Sequence, residues 1–210
     1  MSENNTIVVS IRLNNTILVS NTQKLMKTSN NKTQDLIEKS LLEKRQVFLW
    51  GMVDDKTAKH VVDRLMYLDA QGNEEIQFFI NSPGGYVTSG FSMYDTIMSL
   101  KSPVSTICTG LAASMGSVLL SAGKKGRRFI QPHAKVMIHQ PSGGAQGQAS
   151  NIEIQAAEIL KTREIIANIY VKNCGQDFDK VMKDFNRDYW MDANESLEYG
   201  IVDGIYQPNN

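Results

Sequence analysis

Gly110-Leu111-Ala112-Ala113-Ser114-Met115-Gly116-Ser117-Val118-Leu119-Leu120 follows a β-type run, Val104 to Cys108, and leads into an apolar helical pattern that ends near Gly123. A strand, a small-residue turn and a buried helix place Ser114 near a helix N-terminus. Backbone N–H groups there lack intrahelical acceptors and can face an anion. That setting suits a nucleophilic serine, whose attack on a carbonyl creates a negative oxygen in need of donors. Taken alone, the same small residues read first as close helix packing, because short motifs recur by chance.

Working outward, strand and helix patterns alternate. Asp35 to Leu42 starts a helix, and Val47 to Gly51 is a short buried strand. Asp54 to Leu68 is an amphipathic helix with Val61, Val62, Leu65 and Leu68 on one stripe. Ile76 to Ile80 is a strand, followed by Asn81-Ser82-Pro83-Gly84-Gly85 and a helix from Tyr86 to Leu100. Downstream, Lys124 to Arg128 reads as a solvated basic turn, Arg128 to Ile130 and Lys135 to His139 as strands, and Ser142 to Gly147 as a flexible turn. Ser150 caps a long helix reaching Asn173, closed by Cys174-Gly175. Phe178 to Phe185 is a short helix, Asp188 to Met191 is extended, and Asn194 to Tyr199 is a last helical turn before Gly200. This alternation predicts an α/β fold with a largely parallel sheet, in which chemistry collects at the carboxyl ends of strands. Gly84-Gly85 and Ser114 both fall there.

The first 34 residues differ from the rest. Asn5-Thr6-Ile7-Val8-Val9-Ser10 recurs as Asn15-Thr16-Ile17-Leu18-Val19-Ser20, which reads as a hairpin around Asn14-Asn15 or as a polar tail, with Asn21 to Gln34 a linker.

Composition narrows the function. The 210 residues carry 22 basic and 22 acidic side chains, so no net charge points to nucleic acid or an anionic membrane. No apolar run approaches the roughly 20 residues that span a bilayer, and the N-terminus has no secretory pattern. Two distant cysteines make neither a disulfide scaffold nor a zinc site and fit a reducing cytoplasm. No metal is expected, since no H-E-x-x-H or clustered Cys/His spacing occurs.

Three histidines sharpen the search for a base. His60 lies within an amphipathic helix and His133 in a turn. His139 ends a β run before Gln140-Pro141, at a strand terminus where active-site groups are commonly placed. A base needs a carboxylate to fix its tautomer, and the 22 acids leave that choice open. Asp188 opens the apolar extended segment Tyr189-Trp190-Met191 and is expected to be partly desolvated. It reads equally as a strand-edge acid or as one paired with Arg187. Gly84-Gly85 reads as an oxyanion loop or as a simple Pro-Gly turn.

Asn81-Ser82-Pro83-Gly84-Gly85, Gly110 to Ser117, Met137-Ile138-His139-Gln140-Pro141 and Glu198-Tyr199-Gly200-Ile201-Val202-Asp203 occur together and in order. As a set, covering roughly residues 36 to 206, they resemble the ClpP family, the proteolytic subunits of ATP-dependent Clp proteases. The resemblance implies a crotonase-like α/β fold in which the helix from Ser150 projects as a handle. It makes Ser114 the nucleophile, His139 the general base and Asp188 the orienting carboxylate, a chain order unlike chymotrypsin, subtilisin or the α/β-hydrolases. It assigns the oxyanion donors to the N–H groups of Gly85 and Met115, and peptide binding to Gly143, Gly144 and Gly147 by strand addition. It further implies two stacked heptameric rings of this chain, enclosing a chamber that an AAA+ unfoldase feeds with unfolded polypeptide. ATP is then the unfoldase's, and this chain needs no cofactor.

The sequence departs from that family in two places. Residues 1–34 replace the usual pore-lining segment and imply an unusual axial hairpin or a removed propeptide. Phe79 and Phe129 stand at positions expected of the unfoldase-docking pocket, but Gln77 and Ser99 replace bulkier apolar side chains there. Those two residues motivate an alternative, a catalytically silent or partner-dependent paralogue working in a mixed ring. A crotonase-fold acyl-CoA enzyme is the other alternative; the complete Ser–His–Asp set and the short chain argue against it.

Overall fold

The computed structural model describes residues 32–144 and 146–207. The hairpin expected over residues 5–20 and the linker expected from residue 21, as far as residue 31, lie outside the described residues; residues 32–34, expected as the end of that linker, are helical instead. The chain divides into two units, Met1–Lys44 and Arg45–Asn210. In the first, a helix (α1) covers residues 32–43, starting three residues before Asp35, with Lys39 and Glu43 paired one turn apart at 3.9 Å.

The second unit is built on a sheet. Strands β1 (Gln46–Trp50), β2 (Ile76–Ser82), β3 (Val104–Ala113), β4 (Arg128–Ile130) and β7 (Gly204–Ile205) lie side by side in that order, all parallel. Strand β5 (Lys135–Ile138) pairs parallel with the far end of β3, and β6 (Tyr189–Met191) pairs antiparallel with β5. Helices α2 (Asp55–Gln71), α3 (Val87–Ser99), α4 (Met115–Ser121), α5 (Ala149–Cys174), α6 (Phe178–Asp184) and α7 (Ala193–Tyr199) connect them. The α/β expectation therefore holds, with a parallel-dominated sheet.

Strand β3 organises the fold, and it is longer than the β-type run suggests. Its first half pairs with β4 through Thr106, Ile107 and Cys108; its second half pairs with β5 through Leu111, Ala112 and Ala113. A register shift separates them on the β2 side, where Ile80 faces Cys108 but Ser82 faces Ala112. The Asn81 side chain fills the interruption, its Oδ1 accepting from Leu111 N–H at 3.1 Å. Gly110 makes room for it, since a Cβ there would sit 2.9 Å from Asn81 Oδ1. The irregularity lets one strand serve two neighbours in turn, so Gly110 to Ala113 are strand rather than turn.

Local chemistry sets the helix bounds. Asp54 and Thr57 form a reciprocal capping box at the start of α2, with Thr57 N–H to Asp54 Oδ1 at 2.8 Å and Asp54 N–H to Thr57 Oγ1 at 3.0 Å. Ala58, Val61, Leu65 and Leu68 are buried at i, i+3, i+7 and i+10, whereas Val62 is only half-buried. No basic residue occupies the last turn of α2. Arg45 supplies the cation from elsewhere, donating to the carbonyls of Leu68, Gly72 and Glu74 at 3.0, 3.2 and 2.9 Å.

Two local expectations are corrected. Helix α5 starts at Ala149 with Gln148 at its N-cap and no side-chain capping bond, so Ser150 lies inside the helix rather than capping it. Only Ile166, Ala167, Tyr170 and Cys174 of α5 are buried, so its first half extends along solvent. Arg128 is not part of a solvated turn: it opens β4 and is 1% exposed, because Asp203 neutralises it inside the fold.

Candidate active site

Ser114 stands alone between the end of β3 and the start of α4, at φ 54°, ψ −123°. That region is sparsely populated by residues with a side chain and persists only where the surroundings over-determine it. Here they do. Ser114 N–H donates to Met137 O at 2.9 Å, and Ser114 O accepts from the N–H groups of Ser117 and Val118 at 2.9 and 3.2 Å. The strained turn lifts the Ser114 side chain to a partly exposed position above the buried start of α4.

The Gly84-Gly85 loop lies directly against this turn. A Cβ on Gly84 would meet Ala113 O and Ser114 Cβ at 2.7 Å and Met115 N at 2.9 Å, and one on Gly85 would meet Val53 O at 2.2 Å. Their φ values, 89° and 153°, are also ones that favour glycine. Val53 pins the loop from the other side: its N–H donates to Gly84 O and its carbonyl accepts from Tyr86 N–H, both at 2.8 Å. This bridge leaves Gly85 N–H with no acceptor among the described residues. Met115, first residue of α4, likewise has no intrahelical acceptor for its N–H.

Register places the other two groups. Ala113 faces Met137 across the β3–β5 pair, so Ser114 leaves β3 level with Ile138, one residue short of His139. In the antiparallel β5–β6 pair Ile138 faces Tyr189, and one step further His139 faces Asp188. Gln140 N–H to Phe185 O at 2.6 Å and Gln140 Nε2 to Asn186 O at 2.9 Å tie down the segment beyond. As a result His139 Nε2 lies 2.9 Å from Ser114 Oγ, and His139 Nδ1 lies 3.0 Å from Asp188 Oδ1.

The structure thus brings Ser114, His139 and Asp188 together, with Met115 next in the chain and the loop of Gly84 and Gly85 set against the turn through Gly84. Asp188 corrects one expectation, since its side chain is 61% exposed in this chain rather than partly desolvated, against 27% for His139. Arg187 makes no ion pair with it among the described residues. His60 and His133 are exposed and away from this cluster. Gly143, Gly144 and Gly147 lie on the exposed, irregular connection between His139 and α5, with Gly143 packed near Ile159. No cluster of three or more His, Cys, Asp or Glu side chains suited to a metal is assembled among the described residues. Nor, among them, is any helix long and apolar enough to cross a membrane.

The sequence reading missed Ser117, a hydroxyl on a fully buried helix one turn beyond Ser114, and Tyr170, which meets it from α5. A polar residue in an otherwise apolar run was the only signal for the first. Nothing local marked the second.

A hydroxyl on a strained strand-to-helix turn, an imidazole in reach and a carboxylate behind it form a constellation for acyl transfer. A family model described as Clp protease matches residues 28–209, spanning every element that builds this cluster. The chain belongs to the Clp protease family.

Proposed function

We propose that this peptidase is a ClpP-type proteolytic subunit, a serine endopeptidase that cuts unfolded polypeptides into short peptides. The observation that carries the reading is the hydrogen-bonded chain Ser114 Oγ–His139 Nε2 at 2.9 Å and His139 Nδ1–Asp188 Oδ1 at 3.0 Å. Ser114 Oγ attacks the scissile carbonyl while His139 takes its proton, and Asp188 holds the imidazole in the tautomer that leaves Nε2 free to accept. The tetrahedral oxyanion accepts from the N–H groups of Gly85 and Met115. His139 then returns the proton to the leaving amine, and water hydrolyses the acyl-enzyme by the same steps reversed. Substrate adds as an extended strand along Gly143, Gly144 and Gly147, where backbone donors and acceptors can pair with a peptide without selecting side chains.

Selection then lies upstream of the cut. The chain works in the cytoplasm as two stacked heptameric rings joined through α5, fed by an AAA+ unfoldase that alone uses ATP. The test pairs oligomeric state with hydrolysis of a short fluorogenic peptide by wild type and Ser114→Ala. A large ring whose activity disappears in the variant, with a fluorophosphonate probe labelling Ser114, supports the proposal. A ring that neither hydrolyses peptide nor reacts with the probe overturns it.

A second reading, a paralogue dependent on a partner in a mixed ring, rests on Gln77. Its amide oxygen accepts from Gln46 Nε2 at 2.9 Å, so this part of the sheet presents a polar pair beside the stacked rings of Phe48 and Phe79. Purification of a homo-oligomer that alone binds and is activated by the unfoldase would exclude it.

A further inference from the structure

We infer that the buried hydroxyl pair Ser117–Tyr170 is a positioning device for the nucleophile, with Tyr170 donating to Ser117 and Ser117 donating to the carbonyls that fix the Ser114 turn. The inference rests on the reading of Ser114 as nucleophile. Both residues are fully buried. Ser117 Oγ lies 2.6 Å from Ser114 O, 2.9 Å from Met137 O and 2.8 Å from Tyr170 Oη.

Counting protons fixes the direction of this network. A hydroxyl has one hydrogen to donate, and carbonyl oxygens only accept. The Ser117 proton must therefore serve the two carbonyls, and the Tyr170 proton must point at Ser117 Oγ. The reverse arrangement would set Ser117 lone pairs against two carbonyl oxygens in a fully buried site, which is the costly case. Tyr170 suits the donor role, since burial pushes its phenol well above the ordinary range and keeps it protonated.

The two carbonyls are not arbitrary. Met137 O also accepts the Ser114 N–H at 2.9 Å, and Met137 stands two residues before His139. One hydroxyl therefore touches both sides of the link between the strained serine and the strand that carries its base. Without it, Ser114 can relax toward a commoner backbone conformation and carry Oγ away from Nε2. Misplacement by a fraction of an ångström is enough to slow attack, because proton transfer and nucleophilic approach both depend on that geometry.

The test uses the full chain in its assembled form and measures kcat and KM on a fluorogenic peptide, together with the rate of fluorophosphonate acylation. The variants are Tyr170→Phe, Ser117→Ala, the double variant, and Ser114→Ala as the blank. Each single change is expected to lower kcat and acylation about tenfold with KM within about twofold of wild type. The double variant is expected to be no slower than Ser117→Ala, because the two hydroxyls act as one unit. A lower melting temperature with unchanged kcat per folded protomer, or losses that multiply in the double variant, would overturn the inference. Tyr170→Phe keeps the ring in place, so it decides the matter even where Ser117→Ala fails to fold. A wild-type chain that the probe does not label would overturn the parent reading and this inference with it. A labelled wild type indifferent to Tyr170→Phe overturns this inference alone.

Discussion

Arg128 and Asp203 form a two-pronged ion pair, Nε to Oδ2 at 2.8 Å and an Nη to Oδ1 at 2.6 Å, with the guanidinium 1% and the carboxylate 12% exposed. The third nitrogen of Arg128 donates to Asn173 O at 2.7 Å, and Asp203 also accepts the N–H groups of Gly126 and Arg128 at 2.8 and 3.1 Å. One pair thus joins the start of β4, the turn before β7 and the end of α5.

Removing one member leaves the other charged and buried, so Asp203→Ala is expected to destabilise the chain by about 3–5 kcal/mol. Burial pushes the Asp203 carboxyl up, but the hydrogen bonds and charge of Arg128 and the two amide donors outweigh it and hold it below the usual range. A depressed folded-state value contributes stability above the unfolded value, near pH 4, and loses it as pH falls through the folded one. Denaturant titrations between pH 7 and 2 should show that acid-dependent loss in wild type. An Asp203→Asn variant that keeps the full acid dependence would contradict this account.

This pair also shows where sequence reading stops. The strand–helix alternation and the Gly175 and Gly200 helix ends are encoded within a few residues, and they were legible. The grouping of Ser114, His139 and Asp188 was proposed from the family resemblance, since the apolar segment that Asp188 opens made it a candidate but could not choose it over the other acids. The burial of Arg128, the Arg45 closure of α2 and the Tyr170–Ser117 bond each join residues far apart in sequence, with no local pattern to announce them. The split pairing of β3 escaped for a related reason. It depends on Asn81 entering another strand's hydrogen-bonding line.

Glycine at position 84 serves the site more than the turn. Gly84 and Gly126 have nearly equal φ values, 89° and 84°, yet a Cβ on Gly126 meets nothing within 4 Å while one on Gly84 strikes Ala113 O and Ser114 Cβ. Gly126→Ala is therefore expected to cost about 1–2 kcal/mol of backbone strain and leave kcat intact. Gly84→Ala should push the loop off Ser114 and lower kcat by about 100-fold or more. Melting curves and peptide hydrolysis on the two variants separate strain from site damage. Equal kcat values would show that the contact is dispensable.

The thiols should be silent in the native protein. Burial pushes Cys108 up to about 11 and Cys174 up to about 12, and only the thiolate reacts with disulfide reagents. At pH 8 an aromatic disulfide reagent is expected to titrate neither residue in the folded chain and both in denaturant. The same shifts fix a sign in alkali: the folded state holds these protons more tightly than the unfolded one, so stability falls as pH rises above about 8.5. Rapid native-state labelling would refute the burial of both side chains.

Asp188 offers the most discriminating test of the proposed mechanism, because it is the most exposed of the three groups, at 61%. Water already solvates its charge, so Asp188→Asn should leave the melting temperature within about a degree of wild type, as surface changes usually do. The imidazole loses a partner that both selects its tautomer and stabilises its positive form, so kcat should still fall. A buried carboxylate in this role is worth about 10⁴-fold; solvent screening places the expected loss here lower, at about 10²- to 10³-fold. KM should not change, because Asp188 touches His139 rather than substrate. Peptide hydrolysis by Asp188→Asn beside Ser114→Ala decides the point. An Asp188→Asn enzyme that retains wild-type kcat would remove Asp188 from the mechanism and leave a Ser114–His139 pair. A variant as dead as Ser114→Ala would mean that the carboxylate does more than orient its histidine, which the observed exposure in a single chain would not by itself explain.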